Sequence, residues 1–139
     1  MAREGAVPPA PHGKTVSHLP KDVETLYEEA RRAVVQSPSS AAYACRKILM
    51  HVAVEKGGDP GKRFVEYVTY LQKHHLTPGT STWVDEIRQL GNDANHEIEL
   101  MTSEQAETIV DFTAMLLQIV YEFPERGQQS VRRRMGDEA

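Results

Sequence analysis

Cysteine is nearly absent from this 139-residue sequence, in which Cys45 is the single thiol. One cysteine excludes an intrachain disulfide and a cysteine-based zinc cluster, so a reducing cytoplasm is the expected compartment. Long hydrophobic runs are missing too: no stretch approaches the ~20 apolar residues that span a bilayer, and the N-terminal region holds no apolar run of signal-peptide length. We therefore expect a cytoplasmic protein without a membrane segment.

Excess positive charge is also lacking, because the formal net charge is -4. A broad surface that coats nucleic acid is thereby excluded, since phosphate contacts need clustered Lys and Arg. A small local RNA site remains compatible with this charge. The length suits one domain, and the hydrophobic content of 40% is that of a globular protein.

Neither a strand pattern nor an internal repeat is present. Apolar residues instead recur at three- and four-residue steps, which predicts an all-α fold. The spacing and the Pro and Gly breaks predict five helices, at about 20–36, 41–56, 64–75, 82–96 and 103–123.

The fifth predicted helix differs from the others because apolar residues lie on two of its faces. Thr102 and Gln105 have the spacing of a capping box at its start, and Pro124 is predicted to end it. Two apolar faces indicate a central helix or a dimer seam, and we favour a homodimer through the fifth or fourth helix.

Three regions follow from these patterns. Residues 1–18 mix Pro, Gly, His and Ser without periodicity and form an N-terminal arm that is flexible unless it packs on a neighbour. Residues 19–124 form the helical domain. Residues 125–139 form a polar tail that carries Arg132, Arg133 and Arg134. Two interpretations of these arginines stay open: a solvated charge run, or an RNA-binding contact to phosphate or a partner.

Four polar residues gather late in the fourth predicted helix: Arg88, Asn92, Asn95 and His96. At ~100° per residue they share one broad face of that helix. Gly91 in the same stretch would allow a second helix to approach closely.

This polar cluster has two interpretations. Imidazole can move the proton at a 2′-hydroxyl or a leaving 5′-oxygen, while guanidinium holds the phosphate. Arg88 and His96 are therefore candidate catalytic residues for metal-independent RNA cleavage, with the two asparagines in support. Alternatively, Arg88 pairs with Asp85 or Glu86, and the asparagines and His96 satisfy one another at a helix end.

No metal or cofactor is predicted. The adjacent His74 and His75 point ~100° apart, and His51 with Glu55 does not form an HExxH arrangement. A Gly-rich phosphate loop and a serine nucleophile elbow are both missing. Cys45, which lies among apolar residues, is interpreted as a buried small hydrophobe.

Several short stretches together resemble a known family: Leu19-Pro20, Tyr27-Glu28-Glu29-Ala30, Ala41-Ala42, Cys45-Arg46-Lys47-Ile48-Leu49, Ile87-Arg88-Gln89-Leu90-Gly91-Asn92 and Ala94-Asn95-His96. From about Leu19 to Pro124 the chain resembles the domain of unknown function 4145 family, a member of the HEPN superfamily of helical nucleic-acid-associated domains.

The resemblance implies an antiparallel, up-and-down bundle of four to five helices that is often dimeric. It also implies RNA as a partner and a metal-independent endoribonuclease site, in which Arg and His motifs face each other across the dimer. Carried over to this sequence, the catalytic pair is Arg88 and His96, with Asn92 in support. Many such proteins serve in phage defence or in toxin-antitoxin systems, with a protein partner.

A second function is left open by the spacing of the motif. Seven residues separate Arg88 from His96, more than in the superfamily's usual catalytic motif. HEPN domains without activity act as binding or assembly modules, so the alternative is a non-catalytic module that partners a nuclease, helicase or nucleotidyltransferase.

Overall fold

In the computed structural model, which describes residues 10–90 and 101–136, every regular element is helical. The predicted all-α class and helical bundle are confirmed. The helices are α1 (Lys21–Ala33), α2 (Pro38–Glu55), α3 (Phe64–His75), α4 (Ser81–Leu90), α5 (Ser103–Leu117) and α6 (Phe123–Gly136). A 3₁₀ turn, Pro78–Thr80, precedes α4, and a π-helical segment, Gln118–Glu122, joins α5 to α6. None of the helices in these ranges has the length and apolar content needed to cross a membrane.

Local sequence signals set most helix ends. The predicted capping box is confirmed, because the Thr102 hydroxyl accepts a hydrogen bond from the Gln105 amide at 3.1 Å and the Gln105 side chain accepts one from the Thr102 amide at 2.9 Å. Helix α3 has the predicted bounds. Helix α1 ends at Ala33, earlier than predicted, and a hydrogen-bonded turn follows in which the Ser37 amide donates to the Ala33 carbonyl.

Helix α2 lies at the centre of the core and packs against α1, α3 and α5. Its inward face is fully buried and includes Cys45, Ile48, Leu49 and Val52. Burial of each of the larger aliphatic side chains contributes about 1.5–3 kcal/mol. The prediction that Cys45 is a buried hydrophobe is confirmed.

Helix α5 buries its main apolar stripe against α2 and part of its second stripe against α4. In that second stripe, Phe112 is fully buried and meets the Trp83 ring edge-on, with the ring centroids 5.5 Å apart. Met115 is half-buried, whereas Phe123 is 50% exposed. The chain's own helices therefore cover the beginning of the second apolar stripe, whereas Phe123 at its end is exposed to solvent.

The prediction that Pro124 ends the last helix is wrong, because α6 continues to Gly136. The π-helical segment explains the difference. The Phe123 amide donates to the Gln118 carbonyl, five residues back, so the backbone is wider where the proline ring enters. Pro124 then occupies the first turn of a new α-helical stretch, where its missing N–H is tolerated.

Residues 10–18 of the predicted flexible arm pack on the chain's own helices. Two partly or fully buried polar groups of α1 require them as acceptors. The Tyr27 hydroxyl donates to the Lys14 carbonyl at 2.6 Å, and Arg31 donates to the carbonyls of His12 at 2.9 Å and Gly13 at 3.2 Å. Arg31 is also paired with Glu28 at 2.9 Å, so this buried cation is fully compensated.

A second contact fastens the same segment to the π-helical segment. One Glu122 carboxylate oxygen accepts from the Ser17 amide at 2.6 Å and from the Ser17 hydroxyl at 2.7 Å, and the other accepts from the Gln118 side chain at 3.0 Å. These donors favour the ionised carboxylate and lower the pKa of Glu122 to about 2, the backbone hydrogen bond from Ser17 having the largest effect.

We predict that Glu122→Gln lowers the free energy of unfolding at neutral pH by about 2 kcal/mol, because hydrogen bonds to a charged acceptor are lost. The ionised carboxylate stabilises the fold above its ordinary pKa of 4.5, and this contribution disappears as the pH falls toward about 2. Urea unfolding of the unmodified protein and the variant, at neutral and at acidic pH, measures the difference in their free energies of unfolding. This difference should become smaller as the pH falls from 4.5 toward about 2. Glu125→Gln, which removes an exposed ion pair with Arg132, is the control; an equal loss in both variants contradicts the prediction.

The second prediction concerns Cys45, which has no exposed surface and whose pKa is raised by burial to about 12. The thiol therefore stays protonated at pH 8 and can react only through opening of the core. Reaction with a chromogenic disulfide reagent should be on the order of 100-fold slower in the native protein than in denaturant. Rapid labelling of the native protein would contradict the assigned burial.

Candidate functional site

Arg88 is placed by the packing of α4. Val84 and Ile87 point into the core, which leaves the adjacent Arg88 at the edge facing α3. Its guanidinium donates to the Asp85 carboxylate at 2.8 Å and to the Thr69 hydroxyl at 3.2 Å, and also to the Gln72 side-chain oxygen. Arg88 thus links α4 to α3 by hydrogen bonds, and 29% of its side chain is exposed.

These bonds match one half of the second interpretation of the polar cluster, the pairing of Arg88 with Asp85. They use three of the five N–H donors of the guanidinium group. Asp85 is itself 67% exposed, so this carboxylate is a surface partner rather than a buried one. Arg88 is held in a defined position, and its other two N–H groups have no recorded acceptor within 10–90 and 101–136.

Arg88 lines a shallow depression between α3 and α4 with a volume of about 620 Å³. Three of its eight lining residues are cationic, namely Arg63, Lys73 and Arg88, and His74 lies beside them. The acidic residue of the wall is Glu66, whose carboxylate accepts from both the Arg63 amide and the Arg63 side chain at 3.2 Å. In a chain of net charge -4, this is a local concentration of cations.

Two aromatic contacts fix the histidines at the end of α3. The Tyr70 ring lies 4.4 Å from the His74 ring and 6.2 Å from the His75 ring, centroid to centroid. The His75 Nε2 atom is buried and has no hydrogen-bond partner among the described residues. Burial, assisted by the charges of His74 and Lys56, lowers the pKa of His75, so its ring is neutral at pH 7.

The remaining residues of the predicted catalytic cluster, Asn92, Asn95 and His96, lie outside the described residues. Arg132, Arg133 and Arg134 are exposed on α6. Consecutive helical positions turn by ~100°, so the three side chains spread around the helix instead of forming one patch. Arg132 pairs with Glu125 at 3.3 Å.

The sequence pattern did not indicate Lys73 or Arg63, and it indicated His74 only as a weak metal ligand, although all three share the depression with Arg88. A signal was available in α3, where the polar positions Thr69, Gln72 and Lys73 interrupt the apolar stripe. Within 10–90 and 101–136, no group of three or more His, Cys, Asp or Glu side chains is arranged to hold a metal ion. The depression is therefore described by its cations and its hydrogen-bond donors.

Comparison with known proteins identifies a family. The model of the family described as Domain of unknown function (DUF4145) matches residues 28–134, from within α1 to α6. No curated protein and no solved structure matches the chain. The matched range includes the α3–α4 depression and the stretch from Arg88 to His96, which carried the resemblance. On this match over most of its length, the chain belongs to the DUF4145 family.

Proposed function

We propose that this chain is an RNA-binding domain of the HEPN type whose phosphate contacts lie in the α3–α4 depression. The observation that carries the proposal is the grouping of Arg63, Lys73, His74 and Arg88 around one concavity. Affinity for RNA comes mainly from phosphate contacts, and a small cluster of cations suffices for a local site on an otherwise acidic protein.

Arg88 is the central phosphate ligand in this proposal. Its two remaining N–H donors suit a phosphate, because guanidinium binds phosphate oxygens through paired hydrogen bonds. The bonds to Thr69 and Gln72 hold the group in position before RNA arrives. Less conformational freedom is then lost on binding.

Cleavage by Arg88 together with His96 is the further step that we propose. His96 accepts the proton of the 2′-hydroxyl, and the 2′-oxygen attacks the adjacent phosphorus. The bond to the 5′-oxygen breaks, this oxygen takes up the proton that His96 had accepted, and a 2′,3′-cyclic phosphate remains on the other product. Arg88 stabilises the growing negative charge on the phosphate, and Asn92 and Asn95 orient the two groups.

We propose a homodimer as the active form. The support is an apolar face that continues from α5 through the π-helical segment to the start of α6, where Met115 and Ile119 are half-buried and Phe123 is exposed. An uncovered apolar surface that continues from a core helix is typical of a subunit interface.

A non-catalytic interaction module is the second candidate, and α6 favours it. This helix has no buried residue, and it exposes Phe123, Val131 and Met135, which recur at multiples of four residues along one side. Such a stripe suits helix-in-groove recognition by a partner protein. RNA cleavage by the isolated chain would separate the two candidates.

The binding proposal predicts that Lys73→Ala weakens RNA binding about fivefold, because one charge-assisted contact is lost. The slope of log affinity against log salt should fall by about 1. Fluorescence anisotropy with a labelled RNA at several salt concentrations measures both values. Lys21→Ala, an exposed lysine at the start of α1, is the matched control, and equal effects of the two variants would refute the placement of the site.

The cleavage proposal predicts RNA products in the presence of EDTA that His96→Ala reduces by about 10²–10⁴-fold. His51→Ala, which changes an exposed histidine on α2, should cleave like the unmodified protein. Gel analysis of products from a mixed RNA pool provides the measurement. Equal product from the His96 variant, or no product from the unmodified protein, would remove the enzymatic function and leave the binding module.

A further inference from the structure

A second concavity, of about 680 Å³, lies between α1 and α2. Its apolar wall includes Leu26, Ala33, Ala42 and Met101. The alanines create the space because their side chains end at Cβ. The volume and the mainly apolar wall are those of a site for a small, flat group rather than of a packing defect. We call this concavity the α1–α2 groove.

Tyr43 stands at the groove with 60% of its surface exposed, which is unusual for a large aromatic side chain that has an apolar wall beside it. The Lys47 ammonium lies 4.8 Å from the Tyr43 ring centroid. This cation–π contact orders the ring and places a positive charge next to it. Glu29 lines the groove from α1 and provides an acceptor for N–H donors.

The groove is connected to the α3–α4 depression by a line of cationic residues. Arg46 lines the groove, and its guanidinium carbon lies 5.0 Å from the ring centroid of Phe64. Phe64 is the first residue of α3, and the preceding Arg63 lines the depression. Phe64 is therefore in contact with an arginine of the groove and is next in sequence to an arginine of the depression.

We propose that the α1–α2 groove binds one unpaired base of a single-stranded RNA. The proposal rests on the proposed function, because it assigns a base contact to the strand whose phosphates occupy the depression. The base stacks on Tyr43, Lys47 contacts the neighbouring phosphate, and Glu29 accepts from an N–H on the base edge. Every base has such a donor, so little base preference is expected.

The chemistry of the groove selects this ligand over others. A purely apolar occupant would leave the charges of Glu29 and Lys47 without a role in binding. In a duplex the bases are stacked and paired and do not reach a side chain of this kind, whereas unpaired bases can turn out and stack on an aromatic ring. An aromatic ring next to a cation is the arrangement used by proteins that bind single strands.

The test compares three labelled probes in fluorescence anisotropy: a single-stranded RNA of about ten nucleotides, its duplex, and an abasic ribose-phosphate chain of the same length. Tyr43→Ala should weaken binding of the single strand about tenfold, because one base–aromatic stack is lost. Binding of the duplex and the abasic chain should stay within about twofold of the unmodified protein, because their contacts are to phosphate.

Two further variants sharpen the comparison. Tyr43→Phe keeps the ring and should bind the single strand like the unmodified protein. Val54→Ala shortens another exposed apolar side chain of α2 and should have no effect. Circular dichroism and thermal unfolding of each variant test for a folding defect. We expect none from the Tyr43 variants, because this side chain is mainly solvent-exposed.

The outcomes separate this inference from the proposed function. If Lys73→Ala weakens all three probes while Tyr43→Ala weakens none, RNA binding stands and the base site is overturned. Equal weakening of the single strand and the abasic chain by Tyr43→Ala would also overturn it, since no base would then be involved. If the unmodified protein binds none of the probes, both proposals fail.

Discussion

The burial of α2 is the interaction on which the other features of this fold depend. Helices α1, α3 and α5 together bury Ile48, Leu49 and Val52 of α2. The removal of this apolar surface from water is the driving force that holds the four helices together. Because α2 is enclosed on three sides, its neighbours cannot shift independently. The α1–α2 groove and the α3–α4 depression are therefore both formed by helices that belong to this one packed unit.

Buried polar groups place further demands on that framework. Arg31 and Glu122 are each less than a tenth exposed, and the desolvation of either charge would be costly without partners. Residues 10–18 provide those partners through backbone carbonyls, one amide and one hydroxyl. The N-terminal segment thus becomes part of the bundle because it completes the hydrogen bonding of two buried charges that Glu28 and Gln118 satisfy only in part.

The candidate site combines rigidity with spare hydrogen-bonding capacity. Arg88 joins α3 to α4 through neutral acceptors on α3 and an exposed carboxylate on its own helix. A guanidinium that is already oriented, and that has two N–H groups without an acceptor among the described residues, is suited to an incoming anion. The two proposed functions, binding alone and binding with cleavage, both assign the phosphate contact to this residue.

Features that depend on residues close together in the sequence could be predicted from the sequence. The Thr102–Gln105 capping box and the bounds of α3 follow from hydrogen bonds and periodicity within a few positions, and the burial of Cys45 follows from the apolar residues around it. Family membership was accessible for a similar reason, since ordered short motifs carry it. The helix beyond Pro124 was not accessible, because a single π turn changes which carbonyl the proline ring meets.

The sequence by itself therefore determined the helical class, most helix positions, the family and the pairing of Arg88 with a neighbouring carboxylate. Only the tertiary structure decided that Arg63, Lys73 and His74 stand beside Arg88 and that Tyr43 borders a groove. These residues are separated along the chain and come together through the packing of whole helices. Packing of that kind depends on summed burial over many side chains, which no local pattern encodes.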